Sequence, residues 1–191
     1  ASASASDQSG LGRTSDSEML AMTSLLPATD LPAAFRYGRN DFVALPALLA
    51  ERGYQTVSAI PYLPAFWNRH VTHPAYGFAR SLTQEDFRPG GRVGLGLDDR
   101  SFLAQMLEQI DTTPQPFFVF LLTLSLHHPY NHFPAHLSRL DPKVADGSPL
   151  GNYLDAMHFL DRAVEEFFVG LEERDLLDET VVVLYGDHDA R

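Results

Sequence analysis

Eight consecutive residues, Phe117-Phe118-Val119-Phe120-Leu121-Leu122-Thr123-Leu124, are apolar except for a single threonine. The run is too short to cross a bilayer, is rich in aromatic and aliphatic residues, and follows Pro114 and Pro116. It therefore reads as a central parallel strand buried on both faces. Such a strand needs a packed layer above and below it, which confines the chain to an α/β architecture, a mainly parallel central sheet with helices on both faces. Two more segments fit the scheme: Thr56 to Ile60, a short strand of the buried kind, and Thr180-Val181-Val182-Val183-Leu184-Tyr185.

Helical signals fall between these runs. Ser15 and Glu18 have capping-box spacing ahead of Met19, Leu20, Met22 and Leu25, and Pro27 stops the run, so a helix beginning at about Ser15 is expected with Thr14 at its amino end. Pro46 and Gly53 bracket Ala47-Leu48-Leu49-Ala50 as a second helix. Asp98 or Asp99 can cap a third, whose apolar positions are Phe102, Leu103, Met106, Leu107 and Ile110. Leu154, Met157, Leu160, Val164, Phe167, Phe168 and Leu171 mark an amphipathic helix of about six turns. Residues 61–98 lack periodicity and read as one long irregular stretch. With 191 residues and 45% apolar composition, a single domain over residues 1–191 is expected.

Charge and composition narrow the function. A formal charge of -11 disfavours nonspecific attraction to nucleic acid or to an anionic membrane surface, so an anionic substrate would need a local cationic site. Absence of cysteine excludes disulfides and thiolate metal sites. In open parallel sheets ligands bind beyond the carboxyl ends of the strands. Two expected strands end in conspicuous polar groups, Ser125-Leu126-His127-His128 and Gly186-Asp187-His188. Adjacent carboxylate and imidazole can reach one metal from a bend at Gly186, although an Asp after a strand also serves as a cap for a following helix. An imidazole at 127 or 128 can donate to a phosphoryl oxygen or be tied to a carbonyl before a proline turn; alternation along extended backbone argues against both serving one centre. Thr14, with Arg13 beside it at a helix amino end, suits an anion, and a hydroxyl there becomes nucleophilic when a metal lowers its pKa; as a plain N-cap it needs neither. Trp67 and Arg69, in Phe66-Trp67-Asn68-Arg69, can stack on and pair with a phosphate ester, or simply pack and be solvated.

Taken together, Gly12-Arg13-Thr14-Ser15-Asp16-Ser17-Glu18, Phe66-Trp67-Asn68-Arg69, Thr123 through Tyr130 and Tyr185-Gly186-Asp187-His188 resemble, in order and approximate spacing, the extracytoplasmic domain of lipoteichoic acid synthases, sulfatase-like members of the alkaline phosphatase superfamily. The resemblance implies a phosphoglycerol transferase. Its threonine, here Thr14, would attack phosphatidylglycerol, and an acceptor hydroxyl on a glycan or polyglycerolphosphate chain would resolve the glycerophosphoryl-enzyme. It further implies Thr14, Asp187 and His188 as metal ligands, His127 at the phosphoryl group, and Arg13, Trp67 and Arg69 around the substrate. The metal implied is Mn2+, with Mg2+ or Zn2+ as alternatives. An additional glutamate ligand and its strand are expected before residue 1, and a further segment after residue 191, so the domain is expected to be incomplete at both ends and the piece alone to bind metal poorly. A membrane anchor outside this chain and an extracytoplasmic location on a bacterial membrane are implied in the same way. Ile60 and Tyr62 stand where the family pattern has a histidine and an aspartate. That departure keeps open a phosphoethanolamine transferase, a phosphodiesterase or a sulfatase of the same superfamily, and a noncatalytic lipid- or glycan-binding module remains a further alternative.

Overall fold

A computed structural model describes Leu11 and residues 13–189. In chain order the helices are α1 (Thr14–Thr23), α2 (Ala33–Arg36), α3 (Leu45–Ala50), α4 (Arg69–Ala75), α5 (Asp99–Asp111) and α6 (Pro149–Glu172). The strands are β1 (Gln55–Ala59), β2 (Arg80–Leu82), β3 (Arg92–Val93), β4 (Gly96–Leu97) and β5 (Phe117–Leu121). β2, β1 and β5 form a parallel sheet in that order, with Val57 opposite Arg80 on one side and Val119 on the other. β3 and β4 make a separate antiparallel hairpin.

Strand alternation divides the sheet's side chains between two cores. Phe118, Phe120 and Leu122 join Met19, Met22, Ala33, Tyr76 and Phe78, from the side carrying α1, α2 and α4. Val57, Ala59, Val119 and Leu121 join Phe102, Leu103, Met106 and Ala163, from α5 and α6. The expected α/β fold with helices on both faces is therefore present. α5 and α6 pack closely because Gly170 has no side chain; a Cβ there would collide with Leu107.

Several local expectations are corrected. Residues 61–98 hold α4, β2 and the β3–β4 hairpin rather than one irregular stretch. Their signals are weak for physical reasons: α4 buries Arg69, Thr72 and His73 instead of an apolar stripe and contains Pro74, and β2 is only Arg80-Ser81-Leu82. β5 is not central, since among the described residues it pairs only with β1. Residues 180–185 form no strand, and Val181 is 90% and Val183 76% exposed. Their apolar content suits a buried strand, but β-structure needs a hydrogen-bonded neighbour, and no described segment pairs with them. Within α1, the N-cap is Arg13 and no capping box forms. Ser15 lies inside the helix, with its buried hydroxyl unpartnered among the described residues, and Glu18 turns away to Arg69 and His73.

Candidate active site at the carboxyl ends of the strands

α1 is held in place by polar bonds more than by an apolar face. Ser15, Asp16, Ser17 and Glu18 are all buried. Asp16 accepts from the backbone N–H of Ala33 at 2.8 Å and of Leu11 at 3.2 Å. Burial pushes its carboxyl above the usual range, and those two N–H groups with the Arg13 charge pull it part of the way back. For Glu18, burial acts upward too, but the Arg69 guanidinium and His73 hold its carboxyl below the ordinary value. The chain of bonds continues from His73 Nδ1 to Ser58 Oγ at 2.8 Å, and from Ser58 Oγ to Ser81 Oγ at 3.0 Å, so β1 and β2 are wired to α1. Thr14 opens this helix half-buried, and no side chain caps the terminus. Its hydroxyl is not consumed as an N-cap.

Arg69 sits elsewhere than a pocket wall requires. It is 3% exposed, and its Nε donates to Glu18 Oε1 at 2.9 Å while Nη1 donates to the Phe66 carbonyl at 3.2 Å. Its charge is thus spent on a buried carboxylate of α1. Trp67, by contrast, is half-buried, with the guanidinium carbon of Arg13 5.7 Å from its ring centroid and Phe35 at 5.9 Å. Arg13 and Trp67 therefore make one unit beside Thr14. Ile60 is buried in the core, and Tyr62 packs edge-on against Phe66 at 5.0 Å, so both serve packing.

His127 follows β5 through a turn closed by its own N–H donating to the Leu124 carbonyl at 3.2 Å. That turn cancels strand alternation, and the rings of His127 and His128 lie 4.5 Å apart instead of on opposite sides. Both line a cleft of about 280 Å³ with Arg92, Asn131 and His132. His127 Nδ1 donates to the His128 carbonyl at 2.6 Å, which fixes the proton on Nδ1 and leaves Nε2 as the available ring atom. The turn itself is clamped by a residue that sequence reading treated only as a cap candidate. Asp98 caps α5 through the Ser101 N–H, whereas Asp99 is fully buried and accepts from the N–H groups of Leu124 at 2.8 Å and Ser125 at 3.0 Å. Ser125 Oγ in turn accepts from the Asp99 N–H at 2.9 Å. Burial raises the Asp99 carboxyl to about 6 despite those donors.

Electrostatics locate the last segment. Tyr185 is raised to about 12 by burial, then by Glu18 and Asp187, with Ser17 opposing the rise. Tyr130 is raised by burial, Tyr153 and Asp187, and His128 is lowered by burial, His127 and His188. Asp187 and His188 thus lie close enough to the 127–130 segment to act on its charges, and Tyr185 lies within range of Glu18 on α1. His188 Nε2 is 3.6 Å from Asp187 Oδ2, an oxygen and nitrogen donor pair within reach of one divalent cation. Among the described residues no three His, Asp or Glu side chains gather around one point. In the sequence Asp99 reads only as a cap candidate, Ser125 only as one of the polar residues after a strand and Tyr185 only as part of the terminal motif, while His73 carries no local signal.

Comparison with known proteins shows the family to which this fold belongs. A profile of the sulfatase family matches residues 6–191. The chain is 29% identical over 187 residues to lipoteichoic acid synthase 2 of Bacillus subtilis (strain 168), covering 95% of this chain and 28% of that protein. It is 32% identical over 184 residues to lipoteichoic acid synthase of Staphylococcus saprophyticus, again covering 95% and 28%. The chain thus spans less than a third of the length of these relatives. The crystal structure of the lipoteichoic acid synthase LtaP from Listeria monocytogenes matches with a TM-score of 0.84 and 28% identity, covering 93% of this chain and 44% of that one. Since both the fold and a profile spanning almost the whole sequence agree, the chain belongs to the sulfatase family.

Proposed function

We propose that this domain transfers a glycerophosphoryl group from an anionic phospholipid, phosphatidylglycerol, to a hydroxyl of a glycan or polyglycerolphosphate acceptor, with Thr14 as the covalent nucleophile. The observation that carries the reading is convergence: Arg13, next to Thr14 at the start of α1, lies over the Trp67 ring, while Glu18 of the same helix acts on Tyr185, two residues before Asp187. Thr14, Asp187 and His188 would hold one divalent cation, Mn2+ in this reading with Mg2+ or Zn2+ as substitutes. When bound, the cation supplies positive charge that acidifies the hydroxyl and screens a phosphoryl oxygen.

The protein's own groups account for the rest. Arg13 and the amino end of α1 attract the phosphodiester, and the Trp67 face packs on its glycerol carbons. Thr14 Oγ gives its proton to the open His127 Nε2 and forms a bond to phosphorus as the bond to the diacylglycerol oxygen breaks, and that oxygen leaves with the proton from Nε2. In the second half the acceptor hydroxyl gives its proton to Nε2 and bonds to phosphorus as the Thr14 Oγ–phosphorus bond breaks, and Thr14 Oγ takes the proton from Nε2. Arg69 acts through Glu18 in holding α1, rather than as the phosphate fork expected from its motif. The account places the reaction on the extracytoplasmic side of a bacterial membrane; no helix among the described residues is long and apolar enough to cross one. Likeness to lipoteichoic acid synthases supports the reading over almost the whole of this chain.

Incubation with phosphatidylglycerol, phosphatidylethanolamine and an aryl sulfate, each with Mn2+, tests it. Diacylglycerol release from phosphatidylglycerol that is absent in Thr14→Ala supports the proposal. Turnover confined to phosphatidylethanolamine or the sulfate ester would refute it in favour of a phosphoethanolamine transferase or a sulfatase.

A further inference from the structure

Two consecutive residues other than glycine, Trp67 (φ 53°, ψ 30°) and Asn68 (φ 54°, ψ 26°), occupy the left-handed backbone region. Asn tolerates it; a bulky Trp does not adopt it unless its surroundings hold it there. Those surroundings are identifiable. Asn68 Nδ2 donates to the Ala34 carbonyl at 2.9 Å, and α2 is itself tied to α1 by the Ala33 N–H on Asp16. Gly38 closes over the same bond, since a Cβ there would stand 2.5 Å from the Ala34 oxygen and 2.8 Å from Asn68 Nδ2. On the other side of the corner Arg69 is gripped by Glu18. The backbone of Trp67 is thus fixed at both ends by groups leading back to the helix that carries Thr14.

We propose that Asn68 and Gly38 are a positioning pair, which keeps the Trp67 backbone in its strained conformation so that the indole is set against Arg13 before any substrate arrives. The inference deepens the glycerophosphate reading and rests on it. A site wall fixed in advance saves the cost of ordering a large side chain on binding. If the corner were packing alone, nothing would favour a Trp over a residue with a relaxed backbone.

Trp67 is the only tryptophan in the chain, so intrinsic fluorescence reports this ring alone. The test is acrylamide quenching of the wild type, Asn68→Gly, Gly38→Ala and the double variant, with the urea midpoint measured in parallel. Asn68→Gly suits the positive φ and keeps the fold; it is expected to raise the quenching constant about twofold without lowering the midpoint in proportion. Gly38→Ala should produce the same signature, and the double variant should be no worse than the stronger single one, because both act on one bond. In the transfer assay Asn68→Gly should raise the donor KM about fivefold with kcat nearly unchanged. Unchanged quenching in both single variants, or additive effects in the double, overturns the positioning role. A wild-type chain that quenches as expected but transfers nothing counts against the proposed reaction and leaves the positioning of the indole standing.

Discussion

At the scale of single residues, the site contrasts a hydroxyl with no structural employment and a carboxylate with too much. Thr14 begins α1 without capping it, so Thr14→Ala should abolish transfer while changing stability by no more than about 0.5 kcal/mol, read from urea unfolding. Glu18 is the opposite case, because Glu18→Gln leaves the Arg69 charge buried without its partner. A loss of about 3–5 kcal/mol is expected. Its pH signature follows from the sign of the shift. The folded carboxyl lies below its ordinary 4.5, so its contribution is complete above that pH and is lost as pH falls through the lower folded value. Glu18→Gln should therefore flatten the acid limb of stability below about pH 4.5, measured as urea midpoint against pH.

At the scale of elements, the clamp from α5 to the segment after β5 decides where His127 stands. Asp99→Ala strips the acceptors from two buried N–H groups, and a loss of about 2–4 kcal/mol is expected, together with a weaker response of the His127 ring signals to glycerol phosphate in NMR. Asp99 also contributes a slope of the opposite sign to that of Glu18. Its folded value of about 6 exceeds the ordinary 3.8, so between those values the folded chain keeps a proton the unfolded chain has released, and stability from this group falls as pH rises across that window. Above about pH 6 it is flat. The same scale shows what the sequence could convey. Periodic apolar residues announced α5 and α6, and the continuous run announced β5. α4 and β2 escaped because they are held by Arg69, His73 and parallel pairing to β1, and such long-range polar bonds leave no periodic trace.

For the molecule as a whole, segments from opposite ends of the chain come within electrostatic range of each other. Thr14 and Asp187 looked like separate helix-capping signals; in the fold Glu18 of α1 acts on Tyr185, and Asp187 and His188 act on Tyr130 and His128. Local sequence could not reveal that meeting, which depends on which strand lies beside which. It also overstated residues 180–185, whose apolar pattern describes the environment the segment suits rather than one that the described residues provide. Amide hydrogen exchange should distinguish the two regions, with β1 protected to near the global stability and residues 181–184 exchanging with little protection.

The central claim is that Thr14 carries the transferred group. Quenching the protein with acid during turnover of phosphatidylglycerol in the presence of Mn2+, then measuring peptide masses, addresses it without intermediate steps. The account predicts one added glycerophosphoryl group on the peptide containing Thr14, absent when acceptor is in excess and absent in Thr14→Ala. Transfer that proceeds while this peptide stays unmodified at every time point, or an adduct on a different residue, would contradict it.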